Sequence, residues 1–215
     1  MKLLFIGNSH TYYNAMPDIV RRLLDATGQR AHVAMVAEGG KNLAYHVTAP
    51  STAFNLRCGE YDAVTAQDKG AAFEEGAFRA AASAIQEMTK KAGSEFCLFM
   101  PWITTRDEVA LQNTMTDAYR RFCYANGCHF APVGEVFRRI LMTEPVESLY
   151  REDGNHATPF GSYVAAVTIF YTVTGRKRII KVSQIDDPGV KMGFAPELCQ
   201  RVHTEACRMM RLYNG

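Results

Sequence analysis

The sequence predicts an α/β fold, a parallel sheet carrying helices on both of its faces. Two observations lead there. Short apolar runs of strand length alternate with longer segments of helical spacing along most of the 215 residues. Strands separated by helices need crossover connections, which make neighbouring strands parallel, and the fixed hand of such crossovers spreads the helices over both faces.

The elements follow in order. Residues 2–6 read as a buried strand and 7–14 as a polar turn. Pro17 stands near the start of a helix carrying Ile19, Val20, Leu23 and Leu24, which Gly28 ends. Residues 31–36 form a second strand, broken off by Gly39-Gly40, and 61–66 a third, followed by the polar Gln67-Asp68-Lys69-Gly70. Residues 73–91 place Phe78, Ala82, Ile85 and Met88 at helical spacing. Residues 96–100 make a fourth strand, stopped by Pro101, and 108–126 a helix with Leu111, Met115, Ala118 and Phe122 on one face. Residues 129–133 are a short fifth strand, and 159–173 and 196–212 are helices. No repeat, low-complexity tract or linker divides the chain, so one domain spanning 1–215 is expected.

Composition narrows the function. With 47% hydrophobic and 21% charged residues the chain reads as globular rather than disordered. A net charge of +2 gives no footprint for nucleic acid or an anionic membrane, and the densest basic run, Arg176-Lys177-Arg178, is short. No run reaches the ~18 apolar residues of a membrane span. Residues 1–7 are too short for the apolar part of a signal peptide, so a cytoplasmic protein is expected. Cys58, Cys97, Cys123, Cys128, Cys199 and Cys207 are widely spread, which suits reduced thiols, and none has zinc-ligand spacing.

In open parallel sheets ligands bind beyond the carboxyl ends of the strands. Three segments fall at that edge: Gly7-Asn8-Ser9-His10, Glu38-Gly39-Gly40 and Gln67-Asp68. Ser9 follows the first strand and precedes a helix, where a hydroxyl can project into the cleft. A hydroxyl nucleophile needs a base. It is also a common turn or N-cap residue, so the stretch alone leaves both readings open. In Asp153-Gly154-Asn155-His156 a carboxylate three residues before a histidine can reach Nδ1 and leave Nε2 to take a proton from Ser9. An ordinary turn accounts for the same pair taken by itself. Ser9 N–H, Gly40 N–H and the Gln67 amide are candidate oxyanion donors. Asn8, His10 and Trp102 are candidate substrate-binding residues. Tyr12, Tyr13 and Tyr45 could stack on a sugar or could simply pack, and His46 either lines the pocket or turns away.

These residues resemble the SGNH hydrolases, also called the GDSL esterases and lipases. Phe5-Ile6-Gly7-Asn8-Ser9 resembles the nucleophile block with Asn8 for the usual Asp, Gly40 within residues 38–43 resembles the second block, and residues 149–166 resemble the Asp-x-x-His block. Thr65-Ala66-Gln67-Asp68 stands where the family has Gly-x-Asn-Asp, and Pro132-Val133-Gly134 resembles a packing segment before the final block. The resemblance implies a three-layer α/β/α flavodoxin-like sandwich with a five-stranded parallel sheet. It implies Ser9, Asp153 and His156 as catalytic residues, Ser9, Gly40 and Gln67 as the oxyanion hole, and no metal or organic cofactor. The expected activity is hydrolysis of a small-molecule ester, possible targets including an O-acetyl group on a carbohydrate; lipase and thioesterase specificities rank below it. The rivals are a non-catalytic binding module on the same fold and a phosphate or nucleotide binder at residues 7–11, which lack the glycines and Lys of a P-loop.

Overall fold

In the computed structural model, which describes residues 1–215, β1 (Lys2–Gly7) points alternate side chains to opposite faces: Leu3 and Phe5 to one, Leu4 and Ile6 to the other. The chain then makes a short helix, α1 (Ser9–Tyr12), and a 3-10 turn at 13–15, before α2 (Met16–Ala26) with Pro17 in its first turn. β2 (His32–Ala37) follows, then α3 (Leu43–Thr48), α4 (Pro50–Cys58), β3 (Ala63–Gln67) and α5 (Glu75–Lys91). β4 (Glu95–Phe99) leads to α6 (Val109–Asn126), and β5 (His129–Ala131) to α7 (Val133–Ile140). The rest is helical: α8 (Val146–Leu149), α9 (Pro159–Thr174), α10 (Pro188–Lys191) and α11 (Pro196–Asn214).

The five strands pair in parallel in the order β2-β1-β3-β4-β5. Each face of this sheet has its own core. Leu3, Phe5, Cys97, Phe99 and Ala131 pack with α2, α7, α9 and α11, and Leu4, Ile6, Val64, Leu98 and Phe130 pack with α3 to α6. The result is a three-layer α/β/α sandwich. β2 and β3 lie on opposite sides of β1, so the strand order reverses there, and the crevice at the carboxyl end of β1 is the place such a sheet offers a ligand. No helix is long and apolar enough to cross a membrane, and the six cysteines form no disulfide.

All five expected strands are present, with ends shifted by up to two residues. Residues 7–14, read as a turn, are largely helical, because Asn8 caps a helix directly after the strand. Val133 starts α7 rather than ending β5. There Gly134 lies against Pro101: a Cβ at 134 would come within 2.6 Å of the Pro101 carbonyl oxygen. The helices α3, α4, α7, α8 and α10 have no counterpart in the sequence reading. They are short, and too few turns repeat for their periodicity to stand out.

α9 is buried from Phe160 to Thr172, and α2, α7 and α11 enclose it. A polar network without solvent exposure joins it to the C-terminal segments. Asp187 accepts from Tyr163 Oη (2.9 Å) and His203 Nε2 (2.9 Å), while Tyr171 Oη contacts His203 Nδ1 at 3.0 Å and accepts the Ile180 N–H. Burial alone would raise the Asp187 carboxyl, but the bond from His203 and the other donors outweigh it and hold it low. Removing one member of a buried pair strands the other. Asp187→Ala is therefore expected to lower the unfolding free energy by about 3 kcal/mol, read as a lower urea midpoint at unchanged slope; an unchanged midpoint contradicts the network's role.

Candidate active site

The carboxyl end of β1 is locked on three sides before Ser9 begins. His46, fully buried, meets the Gly7 carbonyl through Nε2 at 2.8 Å. Thr11 Oγ1 and Gln67 Oε1 press against Gly7 so closely that a Cβ there would meet them at 2.3 and 2.7 Å. Asn8 then caps α1: its Oδ1 accepts the His10 N–H at 3.0 Å and its Nδ2 donates to the Lys41 carbonyl at 2.8 Å. The second bond ties the turn that carries Ser9 to the loop that carries Gly40. As the first residue of α1, Ser9 has an N–H with no helical partner, and neither it nor the Gly40 N–H donates to another group of the chain.

Ser9 Oγ lies 2.9 Å from His156 Nε2. His156 Nδ1 lies 2.6 Å from Asp153 Oδ2. A carboxylate can only accept, so Nδ1 carries the proton and Nε2 is left to accept from the Ser9 hydroxyl. Asp153 Oδ1 also accepts the N–H groups of Asn155 and His156, each at 2.9 Å. Desolvation works against its charge, but the bonds from His156 and Asn155 dominate and keep the carboxyl well below the usual carboxylate range. The loop itself is a tight hairpin, bridged between Tyr150 and Ala157 and by the Arg151 N–H to the His156 carbonyl at 2.8 Å.

The Ser9 segment and this hairpin are joined by further contacts that the sequence did not reveal. Tyr13 stacks on His156, centroids 4.3 Å apart. Asn14, with φ +52°, donates through Nδ2 to the Ala157 carbonyl (3.0 Å) and to Ser162 Oγ (2.8 Å) at the start of α9. Asparagine is among the residues that tolerate this left-handed backbone, which offered a faint signal; the partners themselves are 143 and 148 residues away.

Four candidate residues turn out differently from the sequence reading. Gln67 is fully buried; its Oε1 accepts from the Asn8 N–H (3.1 Å) and Thr11 Oγ1 (3.0 Å), and its Nε2 donates to the Asp68 carbonyl. Its amide braces the turn and, being fully buried, exposes no donor to the cleft. Asn8 is likewise spent at both ends of its side chain and 3% exposed. Trp102 is 1% exposed and sandwiched between His10 (4.5 Å) and Phe137 (4.2 Å), so neither ring face is open to a substrate. His10 is buried against it, with Nε2 at 3.1 Å from Asn155 Oδ1, while Trp102 Nε1 donates to the Asn155 carbonyl. These two rings support the hairpin from beneath rather than line a pocket. Tyr12 and Tyr45 are exposed at the rim. No cluster of side chains suited to a metal ion occurs.

No protein-family model matches the chain, and no curated protein matches it. Solved structures do. A protein of Slackia heliotrinireducens provisionally assigned as an SGNH hydrolase is 26% identical, with a TM-score of 0.67 over 80% of this chain and 98% of its own. The psychrotrophic esterase EstA from Pseudoalteromonas sp. is 11% identical, TM-score 0.64, over 81% and 97%. A catalytic mutant of an acetylxylan esterase from Geobacillus stearothermophilus is 16% identical, TM-score 0.62, over 79% and 92%.

Burial lowers the pKa of His10 from 6.5 to about 4, with the neighbouring His156 adding to the effect. Between those values the unfolded chain binds the proton that the folded chain refuses, so this stability is present above pH 6.5 and is lost as the pH falls toward 4. His10→Phe keeps a ring on Trp102 and removes the titration. From pH 7 to pH 4 the wild type should lose roughly 3 kcal/mol more unfolding free energy than this variant; parallel pH profiles in urea titrations speak against a buried neutral His10.

Proposed function

We propose that this chain, which has the SGNH hydrolase fold, is a serine esterase that cleaves small esters through an acyl-enzyme. The observation that carries the reading is the continuous relay Asp153–His156–Ser9, with links of 2.6 and 2.9 Å, set at the crevice of a doubly wound sheet. Ser9 Oγ attacks the ester carbonyl as its proton passes to His156 Nε2, and Asp153 orients the ring and stabilises the imidazolium. The Ser9 and Gly40 N–H groups, unpaired within the chain, receive the developing oxyanion. His156 then delivers its proton to the departing alcohol, and a water deprotonated by the same Nε2 releases the acyl group. An O-acetyl group on a carbohydrate, the kind of linkage named for the acetylxylan esterase neighbour, is the substrate type we favour.

Ser9→Ala should reduce p-nitrophenyl acetate turnover at least ~10,000-fold, and Asp153→Asn about as strongly, because the ring would lose its fixed tautomer. Equal rates for wild type and Ser9→Ala make the protein a binding module instead. A fluorophosphonate should add once to the wild type, on the peptide containing Ser9, and not to Ser9→Ala; labelling of another serine overturns the assignment.

A further inference from the structure

Two cations at the rim have no carboxylate partner and are each laid over a tyrosine. The Arg151 guanidinium carbon lies 5.5 Å from the centre of the Tyr13 ring, and Lys41 Nζ lies 5.2 Å from that of Tyr45. Their placement follows from bonds already described. Arg151 faces His156 across the hairpin, its N–H donating to the His156 carbonyl, and Tyr13 is the ring stacked on His156. Lys41 follows Gly40, and its carbonyl holds Asn8. The carboxylates that share a groove with Arg151, those of Glu147, Glu152 and Asp153, form no ion pair with it. Elsewhere on the surface arginines such as Arg21, Arg121, Arg139 and Arg201 do pair with acids. An exposed guanidinium left unpaired, held by stacking beside a reactive imidazole, is available to a ligand.

The side of the site matters. In the proposed reaction His156 protonates the leaving alcohol, so the alcohol half of the ester departs on the histidine side, where Arg151 stands. Lys41 belongs to the side of Gly40, where the carbonyl oxygen is held. We propose that the substrate is an ester whose alcohol portion carries an anionic group, such as an acylated hydroxy acid or acidic sugar, with Arg151 as the specificity-determining residue that receives that anion. Arg151 offers a planar pair of N–H donors that a carboxylate can accept at once, and Lys41 adds a longer-range attraction toward the same rim. This inference rests on the esterase reading above.

The test compares 3-acetoxybenzoate with its neutral methyl ester. The ratio of their kcat/KM values in wild type and in Arg151→Gln cancels the intrinsic reactivity of each ester. Loss of a charge-assisted contact at a solvent-exposed site should cut the charged-to-neutral ratio about tenfold in Arg151→Gln, with Arg151→Lys in between. Raising NaCl from 0.05 to 0.5 M should lower the same ratio for the wild type, a measurement that needs no variant. Turnover of both esters with a ratio indifferent to salt and to Arg151→Gln overturns this inference and leaves the esterase reading standing. No turnover of either ester, together with no fluorophosphonate label on Ser9, removes both.

Discussion

The contact between Ser9 and His156 spans 147 residues of chain, and the rest of the site is organised around keeping that gap closed. A separation of a few tenths of an ångström decides whether a hydroxyl and an imidazole share a proton. Neither residue can secure it alone, since one sits at the start of a four-residue helix and the other in a hairpin. Both segments are tied instead to deeply buried elements. Ser9 follows β1, an interior strand of the sheet whose last carbonyl and glycine are clamped by His46, Thr11 and Gln67, and His156 leads directly into the buried helix α9. Asn14 crosses between the two, and Tyr13 covers the imidazole.

Burial divides the polar residues near the cleft into two kinds. Asn8, Gln67 and Trp102 spend their hydrogen-bonding capacity inside the fold, as desolvated groups must, while His10 bonds Asn155 through Nε2 and leaves its buried Nδ1 without a partner. They make the turn and the hairpin rigid. Arg151, Lys41, Tyr12 and Tyr45 remain at the solvent edge, where an incoming molecule would meet them. A preorganised interior with an adaptable rim is the arrangement electrostatic catalysis requires, because donors and dipoles that are already fixed need not reorganise as charge develops.

The unusual third block takes its place in this picture. Gln67 ends β3 beside β1, and its Oε1 reaches the Asn8 N–H, so a long amide at this position serves the strand that leads into Ser9. Asp68, next in the chain, accepts the Leu43 N–H at 2.7 Å and thereby anchors the glycine loop as well. The two residues brace two other segments of the crevice from below. Polar residues at a strand end can serve either purpose, and only their orientation separates them.

Chain order was enough to determine the alternation of strands and helices, the burial of β1, and the closeness of Asp153 to His156, because each depends on periodicity or on residues within a few positions of one another. It also placed Ser9 at the carboxyl end of the first strand, where the fold's crevice lies. What tertiary structure alone decided were the directions of side chains whose partners lie far away in sequence: Gln67 turned inward to Asn8, Trp102 sandwiched between His10 and Phe137, Asn14 reaching Ala157 and Ser162, and Arg151 left unpaired over Tyr13. A polar side chain satisfies whichever group packing brings within about 3 Å, and that choice is made by the fold as a whole rather than by the neighbours in the chain.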